Sequence, residues 1–271
     1  MQYSQKIFDD NKKLLYAWFS AMFTRVDILI SGDGSRDDLI NVVEQIKNEL
    51  ERVEAFANRF DENSELNLIN RSAFANNVTV SSELFDIIDE CLLYSKKTLG
   101  CFDITVNSTN GFKDGTSNIN LDTGNHTIKF LHPDIRLDLS GFIKGYALRA
   151  VRNLLLNENI HNALINVGNS SILALGNHPC GEGWKISSSD IKTINECVLH
   201  DECLTTSGNK EQTKWPILQP NTGQPIAIKQ QVSVITDDPA TGEVLSTALY
   251  VATNENKGLI LMGLKGKVLS C

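Results

Sequence analysis

Two short stretches of the 271-residue sequence bring together residue types that could handle phosphate. In Asp138-Leu-Ser-Gly-Phe-Ile-Lys-Gly-Tyr-Ala147 a carboxylate, two glycines and Lys144 surround a helix start. Backbone N–H groups exposed there, aided by an ammonium, suit phosphate oxygens because a helix N-terminus carries partial positive charge. An ordinary strand-to-helix turn with a solvated lysine is the plain alternative, and the spacing is neither a Walker A loop nor GxGxxG. In Gly242-Glu-Val-Leu-Ser-Thr-Ala248, Glu243 and Thr247 are four apart, so on a helix both face one side with Ser246 beside them. One carboxylate with hydroxyls is a partial shell for Mg²⁺, which takes oxygen ligands and completes its octahedron with water and substrate phosphate. A Thr bonding back to the helix carbonyls fits the same residues.

Other metal chemistry has little support. Cys91, Cys101, Cys180, Cys197, Cys203 and Cys271 form no CxxC pair, and the five histidines form no HExxH or HxH cluster. A net charge of −8 gives a field that repels phosphate backbones, so nucleic acid is not an expected partner. No apolar run approaches the roughly 20 residues of a membrane span. The first thirty residues lack the basic, apolar and small-residue order of a secretory signal, so the expected location is cytoplasmic.

The elements that must position these residues follow from periodicity. Residues 23–30 read as a strand and Ser31 to Asp37 as a turn. A long helix is expected next, with Leu39, Val43, Ile46, Leu50, Val53 and Phe60 on its inner face. Ser81-Ser82 start a second helix that buries Leu84, Ile87, Ile88, Cys91 and Leu92 and stops at Gly100. Residues 106–137 look irregular and hairpin-rich. A third helix after Gly141 turns Ala147, Ala150, Val151, Leu154 and Leu155 inward. Ala163 to Val167, Ser171 to Leu175 and Val232 to Thr236 read as strands, Thr205 to Asn209 and Gln219 to Pro225 as loops, and a last helix follows Asp238-Pro239. Helices and strands without a regular βαβ period predict an α+β fold, taken as one domain over 1–271.

Seven segments, in order, make the chain resemble the ApbE family of FAD:protein FMN transferases along nearly its whole length. PheAspGluAsnSerGluLeuAsnLeuIleAsn (60–70) resembles the family's aromatic-x-x-x-SerGluLeu-x-x-x-Asn, and GlyCysPheAspIleThrVal (100–106) resembles Gly-Ala-Phe-Asp-Ile-Thr-Val. AspLeuSerGlyPheIleLysGlyTyrAla is similar to Asp-Leu-Gly-Gly-Ile-Ala-Lys-Gly-Tyr-Ala, AlaLeuIleAsnValGly (163–168) to an Asn-x-Gly strand, and ThrSerGly (206–208) to the same three residues. ProAsnThrGlyGlnPro (220–225) and LeuSerThrAla (245–248) fall where the family has Asp-Pro-x-Thr-Gly-x-Pro and Ala-Asp-Ala-x-Ser-Thr-Ala.

The resemblance implies a largely antiparallel mixed sheet with packed helices, and an enzyme that uses Mg²⁺ to split FAD, releasing AMP and placing FMN on a Thr or Ser of a partner protein. A respiratory membrane complex subunit is one candidate acceptor, and family members are often exported lipoproteins. Position by position it implies flavin-nucleotide contacts at Met22, Phe60, Cys101, Phe102, Asp103, Asp138, Lys144 and Ile217. It implies a metal neighbourhood at Gly141, through its carbonyl, Glu243, Ser246 and Thr247. For Phe60 and Phe102, core packing is the competing expectation. The chain departs from the family pattern at Pro216, where a His is usual, at Gln219 and Glu243, where Asp is usual, and at Arg149 and Ser170, where two further carboxylates are usual. Those losses leave two alternatives open: a flavin-binding protein without transfer, and a pyrophosphatase giving FMN and AMP.

Overall fold

The structure, a computed structural model, describes residues 1–7, 13–32, 34–187, 197–208, 217–227 and 230–270. It opens with β1 (Gln2–Ile7), β2 (Lys13–Ala21) and β3 (Thr24–Ser31) as antiparallel neighbours. Leu15, Ala17, Phe19 and Ala21 give β2 the period of two that sets one face on a core. Helix α1 (Arg36–Ala57) starts at a capping box of Ser35 and Asp38 and buries Leu39, Val43, Ile46, Leu50 and Val53. Phe60 does not continue that stripe. Asn58 turns the chain, its side chain accepting the Phe60 N–H and its carbonyl the Ser64 hydroxyl, and Phe60 is left 74% exposed.

The Ser64-capped α2 (Glu65–Ser72) and β4 (Val78–Thr79) lead to α3 (Ser82–Lys97). Leu84, Ile87, Ile88 and Cys91 of α3 are buried, Leu92 only partly, and Gly100 turns the chain beyond it at φ +75°. The expected hairpin within 106–137 is β5 (Ile119–Asp122) and β6 (Thr127–Phe130), which joins β4 in a three-stranded antiparallel sheet. In α4 (Ile143–Asn157) Ala147, Val151 and Leu155 are buried, whereas Ala150 and Leu154 are half-buried.

The rest of the chain runs β7 (Asn162–Val167), β8 (Ser171–Leu175), β9 (Trp184–Ile186), β10 (Cys197–Leu199), β11 (Cys203–Gly208) and β12 (Gln231–Thr236). Then come α5 (Pro239–Val251), α6 (Asn254–Gly263) and β13 (Lys267–Ser270). The expectation of a loop over 205–208 is therefore corrected to a strand, and α5 is followed by two more elements. Hydroxyl residues mimic a turn in composition, but Thr205 to Gly208 pair with β12 along their length. Asn209 lies outside the described residues.

An eight-stranded sheet, ordered β1-β2-β3-β7-β8-β11-β12-β13 with antiparallel neighbours, organises the molecule. The α+β expectation holds. Helices α1 and α4 share one core with β2, β3 and β7, and α5 joins a second core with α3 and the small sheet. Two glycines set the spacing. A Cβ on Gly145 of α4 would come within 2.7 Å of Ala240 Cα and Glu243 Cγ on α5, and one on Gly242 within 2.6 Å of Thr205 Oγ1 on β11. Among the described residues no helix is long and apolar enough to cross a membrane.

Candidate active site

Close passage of α4 over α5 at Gly145 brings Lys144 toward Glu243. Lys144 Nζ is 3.9 Å from a Glu243 carboxylate oxygen and donates to Ser170 Oγ at 2.5 Å and Ser171 Oγ at 3.1 Å. Ser171 in turn donates to Glu243. Glu243 is only 4% exposed, and burial pushes its carboxyl above the usual carboxylate range, although Lys144 and Ser171 work the other way. One turn along α5, Thr247 Oγ1 is 3.1 Å from Ser207 Oγ, which is 2.8 Å from Ser246 Oγ.

Lys144, Ser170, Ser207, Glu243 and Thr247 open onto a cavity of about 350 Å³ whose lining also includes Cys101, Phe102, Asp103, Asp138, Gly141 and Ile217. A second cavity, of about 260 Å³, is lined by Met22, Phe60, Ile143 and, at the junction with the first, Asp138, Ser140 and Lys144. All but one of the residues expected at a site thus reach these two spaces. Ser246 does not: it is fully buried, bonded to Ser207 and to the Glu243 carbonyl. Its hydroxyl therefore braces the neighbourhood from behind.

Individual residues differ in what holds them. Asp138 accepts from Asn107 Nδ2 at 2.6 Å and from the Ser140 N–H at 2.9 Å, with Arg59 3.4 Å away. Asp103 is pushed up by burial, against hydrogen bonds from the Thr105 hydroxyl and N–H. Phe102 is 3% exposed and packs at a tilt on Phe142, so core packing accounts for most of its ring. The opposite holds for Phe60, whose exposed ring lies under the Arg59 guanidinium at 4.5 Å. Met22 is buried on the β2–β3 turn, and burial raises the Cys101 thiol.

Backbone amides at the start of α4 are in part already engaged. The N–H groups of Ser140, Phe142 and Ile143 are already bonded, to Asp138 and to the Leu139 carbonyl. The Lys144 ammonium lines the cavity beside them. Among the described residues no three His, Cys, Asp or Glu side chains converge as a metal-binding group. The Glu243 carboxylate and the Thr247 hydroxyl, which line this cavity, are oxygen donors that suit a hard cation keeping most of its ligands as water or phosphate.

The departures from the family pattern take physical form here. Arg149 bonds Asp238 at 2.7 and 2.8 Å and Glu90 at 2.9 Å, so its cation has gained partners where a carboxylate is usual. Ser170 accepts from Lys144 where a carboxylate is usual. Gln219 starts a turn built by backbone bonds from Thr222 and Gly223 to its carbonyl, which a change of side chain leaves intact. Pro216 lies outside the described residues. Ser170, Ser171 and Ser207 were not among the expected site residues; the available signals were the two serines soon after the Asn-Val-Gly strand and the Thr-Thr-Ser-Gly run at 205–208.

A profile of the ApbE family matches residues 22–267. The chain is 28% identical over 242 residues to the FAD:protein FMN transferase of Chlamydia muridarum, covering 77% of this chain and 75% of that protein. It is 27% identical over 255 residues to that of Chlamydia pneumoniae, covering 82% and 80%. Among solved structures, the flavin transferase ApbE from Vibrio cholerae superposes with a TM-score of 0.80 at 20% identity, covering 95% of this chain and 93% of that one. The ApbE protein of Thermotoga maritima gives 0.79 at 23%, covering 99% and 94%. At those identities the structural likeness speaks for the fold.

Proposed function

The chain belongs to the ApbE family, and on that premise we propose that it is a FAD:protein FMN transferase, splitting the FAD pyrophosphate and moving FMN to a Thr or Ser hydroxyl of a partner protein. The observation that carries this reading is the meeting of Asp138, Lys144, Glu243 and Thr247 at one cavity beside a second, aromatic-lined one. The reaction exchanges one P–O bond for another: the acceptor oxygen bonds the FMN phosphorus, the bond to AMP breaks, and the acceptor proton is released. Such transfer needs little covalent help and much charge neutralisation and alignment.

In this reading Lys144 faces the pyrophosphate and offsets its charge. Met22, Phe60, Cys101, Phe102, Asp103, Asp138 and Ile217 line the space for the dinucleotide, with Asp138 fixed by Asn107 and Ser140. Glu243, Thr247 and the Gly141 carbonyl are the groups that would hold Mg²⁺, with Ser246 supporting them from the core. When bound, the cation supplies further neutralisation of the phosphates. Ser171 holds the Glu243 carboxylate in place, and Ser207 does the same for the Thr247 hydroxyl. We further propose that 1–271 works as one domain, since the cavities draw on residues from Met22 to Thr247.

The test is incubation with FAD and Mg²⁺, with and without a Thr-containing acceptor protein, following AMP and covalent flavin. AMP together with flavin on the acceptor is the expected result. AMP alone in both arms would make the chain a pyrophosphatase, and bound FAD without AMP would make it a flavin carrier.

A further inference from the structure

Phe23 is an unusual residue for its place. Strands β2 and β3 are joined by Met22 and Phe23 alone, with φ of +52° and +58°. A two-residue hairpin turn with both residues left-handed favours Asn and Gly, because a Cβ is strained in that region. The turn is nonetheless held firmly: Met22 is buried in the core, and its N–H donates to the Glu54 carboxylate at 2.5 Å. Phe23 itself is 78% exposed. A benzyl group held in water on a strained turn contributes nothing evident to folding, and such strain concentrates where ligands bind.

Phe23 lines the cavity of about 260 Å³ together with Phe60, which stands 74% exposed on the loop after α1. Ala57 and Ile143 add apolar wall, and the cavity meets the polar one at Asp138 and Lys144. Two exposed aromatic rings on separate loops, over an apolar wall and next to an ammonium, suit a planar heteroaromatic ring whose phosphates extend toward Lys144.

We propose that Phe23 is a second aromatic contact, alongside Phe60, for a planar ring of FAD, and that the left-handed turn serves to present it. The proposal rests on the flavin-transferase reading. Isoalloxazine and adenine share the chemistry, so the experiment separates them. Phe23→Gly keeps the left-handed backbone and removes only the ring, so the chain should fold with an unchanged or higher Tm. Binding of FAD, riboflavin and AMP to the full chain is measured without Mg²⁺, by flavin fluorescence and calorimetry.

For Phe23→Gly, FAD affinity should fall about five- to ten-fold, the size of one aromatic stacking contact. One of riboflavin or AMP should weaken by the same factor while the other holds, and Phe23→Trp should bind FAD as tightly as the parent. Unchanged FAD affinity in Phe23→Gly overturns the proposal, as does an equal loss for all three ligands with a lowered Tm. If the parent chain binds neither FAD nor riboflavin, the flavin-transferase reading falls with it. If the parent binds and Phe23→Gly matches it, the role of Phe23 alone falls.

Discussion

Helices α4 and α5 are bridged twice by a cation and a carboxylate, and the two bridges are built differently. At Arg149 the guanidinium grips Asp238 at 2.7 and 2.8 Å and Glu90 at 2.9 Å, a forked arrangement that leaves neither partner short of bonds. At Lys144 the ammonium stands 3.9 Å from Glu243, with the Ser171 hydroxyl bonded to both. Asp238 also caps α5 through Thr241, whereas Glu243 is buried beside an open cavity. A closed ion pair on a cap holds helices together. A buried carboxylate kept loosely paired keeps its capacity for a ligand, which is why the second bridge is read as the site and the first as scaffold.

The two bridges can be broken separately or together. The largest effect should come from Gly145→Ala, whose Cβ collides with α5 near both bridges, costing about 3 kcal/mol in chemical denaturation and abolishing turnover. Next is Arg149→Met. It strands two carboxylates that are partly open to water, so a loss of about 2 kcal/mol is expected, while FAD affinity in the remaining folded protein holds. Lys144→Ala should reverse that pattern: little change in Tm, FAD weakened on the order of ten-fold, riboflavin unchanged, since only FAD presents phosphates to the ammonium. Equal weakening of both ligands would make Lys144 scaffold as well.

A smaller effect is acid sensitivity. Burial favours a raised value for the Asp238 carboxyl, but its hydrogen bonds with Arg149 and Thr241 outweigh that and hold it below its ordinary 3.8. A depressed carboxyl contributes stability above its unfolded value and loses it as pH falls through the folded one. Stability of the parent should therefore decline more steeply below about pH 4 than that of Arg149→Met, measured by denaturant midpoints across pH.

Much of this arrangement was legible in the sequence, and the misses are physical. Long amphipathic helices such as α1 and α3 announce themselves by period, and the β7 and β8 runs by continuous apolarity. Helix α2 buries only Leu66 and Ile69, too few for a period to show. β11 carries hydroxyls that read as a turn until β12 is laid beside it, where Thr206 Oγ1 meets Ser233 Oγ at 2.9 Å. Local spacing singled out Asp138 with Lys144 and Glu243 with Ser246 and Thr247, whereas Met22, Phe60, Phe102 and Ile217 came from the resemblance to a family, because no local spacing joins them to the rest. The serines that hold Lys144 and Glu243 were missed since a hydroxyl's importance lies in what faces it across the fold.

Glu243 is the centre of the proposed site, and Glu243→Gln tests its role with the least disturbance. The amide nearly keeps the shape, and since burial already disfavours the charged carboxylate, Tm should hold or rise at neutral pH. With FAD and Mg²⁺, release of AMP by this variant should fall to background while FAD still binds. A folded Glu243→Gln chain that releases AMP at the parent rate would contradict the assignment of the loose bridge as the reacting site.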